Sequence, residues 1–297
     1  MPDLVLEQTK SVKKRVWEVD FIRGVLVLLM AFDHFFYDWQ DIVPMFFFPS
    51  SSLPLREMVD FASWYWALDL RKITRYVLLA LFFAISGICT NFSRSNLKRG
   101  LILVTLGLGV GCLTYLYTYL NHTVEFIANL GFPDIWIPCN LFICYGLSIL
   151  FYDLVKYLYF RFFKDLRSFS YIILILALIF IGLGIAFGGA FSYTHNVVKY
   201  SPSQFLLYLF GVYRPSIFNL EYWPLFPYVG YVFFGAYIGM RFYPDKKSLI
   251  FKDESSKVLK RTRLVTFFGR HSLWFYLLHQ LVLLPVVLFV AYLLSLA

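Results

Sequence analysis

The sequence contains few charged residues for its length. Asp, Glu, Lys and Arg together make up 15% of the 297 residues, whereas about a quarter of the residues in a soluble domain are charged. The charges that are present cluster between long apolar runs, as a chain in lipid requires, because hydrocarbon cannot solvate a charge. This scarcity excludes an ordinary soluble domain and predicts a multi-pass α-helical membrane protein.

Cysteine is also scarce. All four cysteines lie inside apolar runs, where thiols behave as small hydrophobic groups, and they are Cys89, Cys112, Cys139 and Cys144. Their spacing resembles neither a disulfide framework nor a zinc site, so no metal is predicted. The sequence also lacks a signal-peptide cleavage pattern and an internal repeat, and the missing repeat weighs against an inverted-repeat transporter.

Apolar and aromatic side chains are abundant. Hydrophobic residues account for 60% of the chain and aromatic residues for 21%, and the mean hydropathy is +0.67. These values predict an all-α, polytopic transmembrane helix bundle of about seven spans, with a polar tail over residues 1–16 and a single transmembrane domain over 17–297. The predicted spans are 18–38, 74–92, 101–120, 135–155, 170–191, 224–242 and 272–296. Two further segments are too polar or too short to cross; 58–70 is predicted as an interfacial helix, and 203–213 as an interfacial or re-entrant segment.

The basic residues predict the orientation. The formal net charge is +9, which by itself could indicate a nucleic-acid partner. The lysines and arginines, however, lie mainly in alternate loops, which is the pattern of cytoplasmic loops in membrane proteins. We therefore predict a cytoplasmic N-terminus and, with seven spans, an external C-terminus, and we predict no nucleic-acid partner.

The first predicted span carries ionisable residues. One helical face is formed, at the spacing that aligns side chains, by Asp20, Arg23, His34 and Asp38, with Asp33 next to His34. Arg23 and His34 are about 16 Å apart along the axis, and Asp20 is spaced to form an ion pair with Arg23. Asp38 lies one turn beyond His34, where a carboxylate could fix the histidine tautomer. Such residues are functional-site candidates; the alternative is that they are interfacial side chains whose charges reach water.

A second polar group opens the last predicted span. Tyr276, His279 and Gln280 are spaced to face one side of a helix, and Arg270 precedes them by about two turns. Hydrogen-bonding side chains in lipid must face protein or a cavity. We therefore predict that this face lines a site.

Two isolated polar residues are weaker candidates. Asn140 follows Pro138 in the fourth predicted span, where it could line a polar break in the helix. Glu221 stands just before the sixth predicted span, where it could contact a substrate. The alternative for Glu221 is an ordinary solvated residue at the interface.

Several segments together resemble a known family. The pattern D-x-x-R-G at 20–24, followed by His34, resembles the opening of the DUF1624 group. That group is related to the heparan-α-glucosaminide N-acetyltransferase catalytic domain, within the transmembrane acyltransferase superfamily. The resemblance recurs in the same order in the segments 82–88, 144–148, 223–231 and 269–280.

The resemblance has two departures. Arg23 and His34 reproduce the R-x10-H spacing of the acyltransferase-3 group, but the second position of its H-x10-H motif is Met45. Residues 40–56 hold no counterpart of the histidine that the lysosomal N-acetyltransferase places in the loop after its first span.

The resemblance implies an integral membrane acyltransferase. It would move an acyl group, chiefly acetyl, from cytosolic acetyl-CoA to a sugar hydroxyl or amine of an envelope glycan or lipid-linked precursor, in a bacterial plasma membrane. His34 would act as base or nucleophile, oriented by Asp33 or Asp38. Arg23 would bind the phosphates of CoA, because a guanidinium suits phosphate geometry. Arg270 and His279 would assist it, and Asp20 completes the predicted cofactor-binding set. The acceptor-binding residues would be Asn140, Glu221, Tyr276 and Gln280.

Other functions and partners stay open at this point. A transporter or flippase could use Asp20, Arg23 and His34 as a proton or anion relay. A non-catalytic scaffold with a degenerate acyltransferase core would fit the missing second histidine. The expected partners are the lipid bilayer, acyl-CoA and a glycan or lipid-linked sugar, and the chain could form an oligomer.

Overall fold

A computed structural model describes residues 16–48, 52–129, 134, 136–187, 197–216, 222–250 and 257–296. Three predicted features therefore lie outside the described residues: the tail over 1–15, the end of the fifth span over 188–191, and Glu221. The α-helices are α1 (Trp17–Tyr37), α2 (Val43–Phe46), α3 (Leu53–Ala67), α4 (Asp69–Ile88), α5 (Asn96–Thr123), α6 (Glu125–Ala128), α7 (Leu141–Phe162), α8 (Leu166–Ala186), α9 (Phe205–Phe210), α10 (Tyr228–Phe242), α11 (Lys257–Arg261), α12 (Arg263–Arg270) and α13 (Ser272–Ser295).

Short irregular elements join some of these helices. A π-helical turn, Asp38–Ile42, continues α1, and 3₁₀ turns cover Cys89–Asn91 and Pro202–Gln204. Two strands of two residues each, β1 (Val197–Val198) and β2 (Arg214–Pro215), pair in parallel. The predicted all-α fold is confirmed, since this pair is a minor feature of the described chain.

Five helices are long and apolar enough to cross a membrane, so the chain is a multi-pass membrane protein. They are α4 with its 3₁₀ extension, α5, α7, α8 and α13. The other two predicted spans differ from these five. Helix α1 has 21 residues but carries Glu18, Asp20, Arg23 and Asp33, and α10 has only 15 residues. Their crossing of the membrane stays a prediction.

The region predicted as a proline-broken loop and a short interfacial helix contains more helix than expected. Pro44 and Pro54 lie in the first turns of α2 and α3, where the missing N–H of proline has no helical partner to lose. The Ser52 hydroxyl caps α3 by accepting the Leu55 N–H at 3.2 Å. The predicted helix over 58–70 is wrong in its bounds, because α3 begins at Leu53 and α4 already begins at Asp69.

The fourth predicted span begins too early. The Asn140 side chain accepts the Ile143 N–H at 3.2 Å and so starts α7 at the next residue, Leu141. Asn140 is therefore an N-cap, and Pro138 precedes the helix instead of breaking it.

The packing of α1 brings the two predicted polar segments together. Helix α10 packs on α4 and on α8, α5 packs on α7, and α1 packs mainly on α12 and α13. Helices α1 and α12 touch backbone to backbone. A Cβ at Gly24 would overlap the Val265 carbonyl, and one at Gly269 would overlap the Asp20 carbonyl. Helix α13 follows α12 directly, so its first turns lie beside α1.

Candidate active site

A cavity of about 1090 Å³ opens beside the C-terminal half of α1. Its walls come from α1, the junction of α3 and α4, the start of α7, the segment between α9 and α10, and α13. The polar side chains on this wall include Asp33, His34, Asp41, Arg71 and Gln280. Most other lining residues are apolar or aromatic, as is usual for a pocket that takes an organic ligand.

His34 lines this cavity with a defined tautomer. Its Nδ1 atom lies 2.8 Å from the Met30 carbonyl oxygen, one turn back on α1. A carbonyl accepts and cannot donate, so Nδ1 of a neutral ring carries the proton and Nε2 keeps its lone pair. The ring nitrogen that can take a proton is therefore Nε2.

His279 on α13 stands next to His34. The two rings meet edge to face, with centroids 4.8 Å apart and an interplanar angle of 75°. His279 Nδ1 lies 2.8 Å from the Tyr276 carbonyl oxygen, and Nε2 is buried without a hydrogen-bond partner among the described residues. His279 was predicted to bind the cofactor; the structure places it beside the candidate base.

Asp33 is engaged by Arg71 and does not orient His34. Arg71 donates from Nε to Asp33 Oδ1 at 2.8 Å and from Nη2 to Oδ2 at 2.7 Å, and the Tyr65 hydroxyl donates to Oδ1 at 3.1 Å. Trp66 covers the guanidinium, with 3.3 Å from Cζ to the ring centroid. Burial, reinforced by the Asp33 carboxylate, raises the pKa of Tyr65, so its hydroxyl stays a donor. The orienting role predicted for Asp33 is filled by the Met30 carbonyl, which accepts the hydrogen bond from His34 Nδ1.

Asp38 is also turned away from His34. Its side chain is fully buried in the π-helical turn, and Oδ1 accepts a hydrogen bond from Gln280 Nε2 at 2.8 Å. Gln280 itself lines the cavity. Asp38 therefore positions a wall residue on α13, and the predicted contact between Asp38 and His34 is absent because the Met30 carbonyl already occupies Nδ1 of the ring.

The ion pair predicted between Asp20 and Arg23 is wrong. Asp20 Oδ2 lies 3.4 Å from Arg270 Nε, because the close contact between α1 and α12 brings Arg270 to this side of α1. Arg23 instead donates from Nη2 to the Ser272 hydroxyl at 2.6 Å. The predicted cofactor-binding residues Asp20, Arg23 and Arg270 thus all lie near the start of α1, away from the cavity.

The predicted acceptor-binding residues separate into two groups. Tyr276 and Gln280 line the cavity. Asn140 is buried, and its amide donates to the carbonyls of Gly107 at 2.7 Å and Ile137 at 3.2 Å. The side-chain carbonyl of Asn140 caps α7. Both polar groups of this side chain are therefore hydrogen-bonded to the backbone, and Asn140 does not line the cavity.

Sequence reasoning missed Arg71, Tyr65 and Trp66. Arg71 lies just before the second predicted span, and the two aromatic residues belong to the segment 58–70, which is predicted as interfacial. The one signal that could have found them is an arginine close to two aromatic residues at a span end, which is common in membrane proteins and so not specific.

One comparison with known proteins identifies the family. The model of the family "Heparan-alpha-glucosaminide N-acetyltransferase, catalytic" matches residues 53–281, which is well over half of the chain. Searches of curated proteins and of solved structures gave no match. The matched range includes Arg71 and His279, whereas α1 with Arg23 and His34 precedes it. The chain is therefore a member of the heparan-alpha-glucosaminide N-acetyltransferase catalytic family, a family of membrane acetyltransferases.

Proposed function

We propose that this protein transfers an acetyl group from acetyl-CoA to the amine or hydroxyl group of a sugar held in the cavity. The observation that carries the proposal is the position of His34. It faces the cavity with Nε2 available, and it lies about 16 Å along α1 from Arg23. A donor could bind its phosphates near Arg23 and present its thioester beside His34.

The chemistry needs one base at the acceptor. His34 Nε2 takes the proton as the acceptor nitrogen or oxygen attacks the thioester carbonyl. The carbon–sulfur bond then breaks, and the thiolate of CoA leaves and receives that proton. The products are free CoA and the acetylated sugar. If His34 itself attacks the thioester first, the carbon–sulfur bond breaks, the thiolate of CoA leaves, and the acetylated histidine passes the acetyl group to the acceptor as the C–N bond to the ring breaks.

The cavity offers suitable contacts for a sugar. Aromatic faces suit the apolar face of a sugar ring, and the polar groups around them can bind its hydroxyls. Trp223 and Tyr222 line the cavity, and Asp41 and Gln280 add polar groups to its wall. Asp33 and Arg71 fix one another, so we assign Arg71 to the shape of the wall and not to catalysis.

Acetyl transfer by the purified protein tests this function directly. The full chain in phosphatidylcholine nanodiscs is incubated with radiolabelled acetyl-CoA and glucosamine, and the acetylated sugar is separated and counted. We expect turnover by the natural sequence and a loss of about 10²- to 10⁴-fold in His34→Ala, which is the usual contribution of a positioned base.

His122 provides the matched control. It is an exposed histidine that pairs with Asp134 at 2.8 Å, away from the cavity, so His122→Ala should retain activity. Full activity in His34→Ala would remove that residue from the mechanism. Transport of a sugar without any binding of CoA would favour the transporter alternative and contradict the proposal.

A further inference from the structure

Two arginines lie close together at the end of the bundle where α1 begins. Arg23 on α1 and Arg99 on α5 are both partly buried and near enough to repel one another electrostatically. Arg99 donates from Nη2 to the Ser86 hydroxyl at 2.8 Å and from Nη1 to the Ser86 carbonyl at 3.4 Å. Arg23 donates to the Ser272 hydroxyl. No carboxylate among the described residues forms an ion pair with either guanidinium.

A buried tyrosine hydroxyl completes this group. Tyr145 on α7 is 7% exposed, and its hydroxyl has no hydrogen-bond partner among the described residues. The hydroxyl lies within electrostatic range of both Arg23 and Arg99. The ring is held in place by stacking on Phe83, with centroids 4.2 Å apart. An unpartnered buried hydroxyl costs free energy, so a missing acceptor is indicated.

The contact between α5 and α7 explains why Arg99 and Tyr145 lie near one another. A Cβ on Gly146 would lie 2.8 Å from the Gly100 carbonyl, which is too close for any larger residue. The two helices therefore approach backbone to backbone at this level. Arg99 precedes Gly100 and Tyr145 precedes Gly146, so the close contact brings the two side chains to the same depth.

We propose that Arg23, Arg99 and Tyr145, with the hydroxyls of Ser86 and Ser272, form a binding site for the phosphate groups of a soluble phosphate ester. Two guanidiniums provide donors in the planar arrangement that fits phosphate oxygens. The bound anion also supplies the negative charge that two neighbouring, partly buried cations lack. If the proposed function holds, the ester is acyl-CoA and its diphosphate occupies the site.

The site draws one hydroxyl from each of three sequence segments that carry the family resemblance. Ser86 belongs to the segment 82–88, Tyr145 to 144–148 and Ser272 to 269–280, and each contributes one hydroxyl to the same place. These segments come from α4, α7 and α13, and α1 and α5 supply the charges. The site therefore depends on the assembled bundle and on no single helix.

Calorimetric titration of the full chain in phosphatidylcholine nanodiscs tests the site. The probes are CoA, inorganic diphosphate and pantetheine, which lacks phosphate. We expect Arg99→Met to weaken binding of CoA and of diphosphate by roughly tenfold to a hundredfold, the usual value of hydrogen bonds to a charged group. Tyr145→Phe should weaken both by a smaller factor, and neither change should alter any binding of pantetheine.

Two matched controls separate the site from general charge and hydroxyl effects. Arg94→Met removes an exposed arginine just before α5, and Tyr157→Phe removes an exposed hydroxyl on α7. Both should bind the probes as the natural sequence does. Tyr145→Phe should unfold at the same or a higher temperature, because it removes a buried hydroxyl without a partner. A loss of affinity in that variant cannot then be attributed to misfolding.

The titrations test the phosphate site separately from the acetyl-transfer assay, which tests the proposed function. Binding of diphosphate by Arg99→Met and Tyr145→Phe at natural strength would overturn the site, as would no binding by the natural sequence. Binding of diphosphate without binding of CoA would support the site while contradicting the proposed donor. A further titration uses phosphatidylglycerol nanodiscs. If diphosphate binding disappears there, a lipid headgroup occupies the cluster, and the assignment to a soluble ester is overturned.

Discussion

Arginine has opposite roles in the cavity wall and in the arginine cluster, which is formed by Arg23, Arg99 and Tyr145. In the cavity wall, Arg71 forms two hydrogen bonds with the Asp33 carboxylate and lies against Trp66. In the cluster, Arg23 and Arg99 have only hydroxyl and carbonyl partners among the described residues. An arginine with its own carboxylate needs no ligand to be stable, whereas neighbouring arginines without one are stabilised by an anion from outside.

This difference assigns separate tasks to the two regions. The Arg71–Asp33 pair contributes stability and shape to the wall beside His34. The arginine cluster contributes affinity and weakens the fold when empty. If this comparison is correct, the same substitution should have opposite effects on stability in the two places.

Replacing one arginine in each region gives the largest expected contrast. Arg71→Met leaves the Asp33 carboxylate, 23% exposed, without its partner, and should lower the free energy of unfolding by about 3 kcal/mol. Arg99→Met removes a repulsion and should leave the stability of the ligand-free protein unchanged or raised. Denaturant unfolding in detergent measures both.

Arg56→Met is the control for this contrast. Arg56 forms an exposed pair with Asp60 at 3.6 Å, and loss of such a pair changes stability by less than about 1 kcal/mol. A loss in Arg99→Met as large as that in Arg71→Met would contradict the comparison.

Stabilisation by CoA should depend on the cluster alone. At a ligand concentration of 100 times Kd, binding to the folded state adds about 2.7 kcal/mol. The natural sequence should therefore unfold at a higher temperature with CoA, and the double variant Arg23→Met, Arg99→Met should show no such increase. An equal increase in both proteins would place the CoA site elsewhere.

A double-mutant cycle sharpens the distinction between attraction and repulsion. Asp33→Asn and Arg71→Met act on one ion pair, so together they should cost about 1–2 kcal/mol less than the sum of the two single changes. The cycle of Arg23→Met and Arg99→Met in the ligand-free protein should show coupling of the opposite sign, because the first change already relieves the repulsion. Coupling of the same sign in both cycles would show that a hidden counter-charge serves the cluster.

The Asn140→Ala variant tests whether loss of a buried polar side chain outside the cluster changes the affinity for CoA. Asn140→Ala removes the cap of α7 and should cost about 1 kcal/mol of stability. The Kd for CoA should stay unchanged, because among the described residues the Asn140 side chain bonds only to backbone groups of α5 and α7 and of the turn before α7. A change in that Kd would mean that the cap also supports the site.

The sequence predicted the helical class and the two most polar faces well, since both depend on local spacing. The packing of α12 and α13 on α1 brings these two polar faces together. The partners within these faces were predicted less well. Asp20 pairs with Arg270 and not with its helical neighbour Arg23, because contacts between helices replaced the contact that spacing within one helix suggested.

Composition and periodicity by themselves determined that this chain is a helical membrane protein with ionisable residues on its first helix. These are properties of one helix in lipid, where a charge is costly wherever it lies. The tertiary structure decided which charges are neutralised. Arg71 pairs with Asp33, which lies 38 residues away along the chain. Arg99 lies within electrostatic range of Tyr145 because α5 and α7 approach closely at Gly100 and Gly146. Coulomb energy depends on distances between atoms in the folded bundle, and separations along the chain do not give those distances.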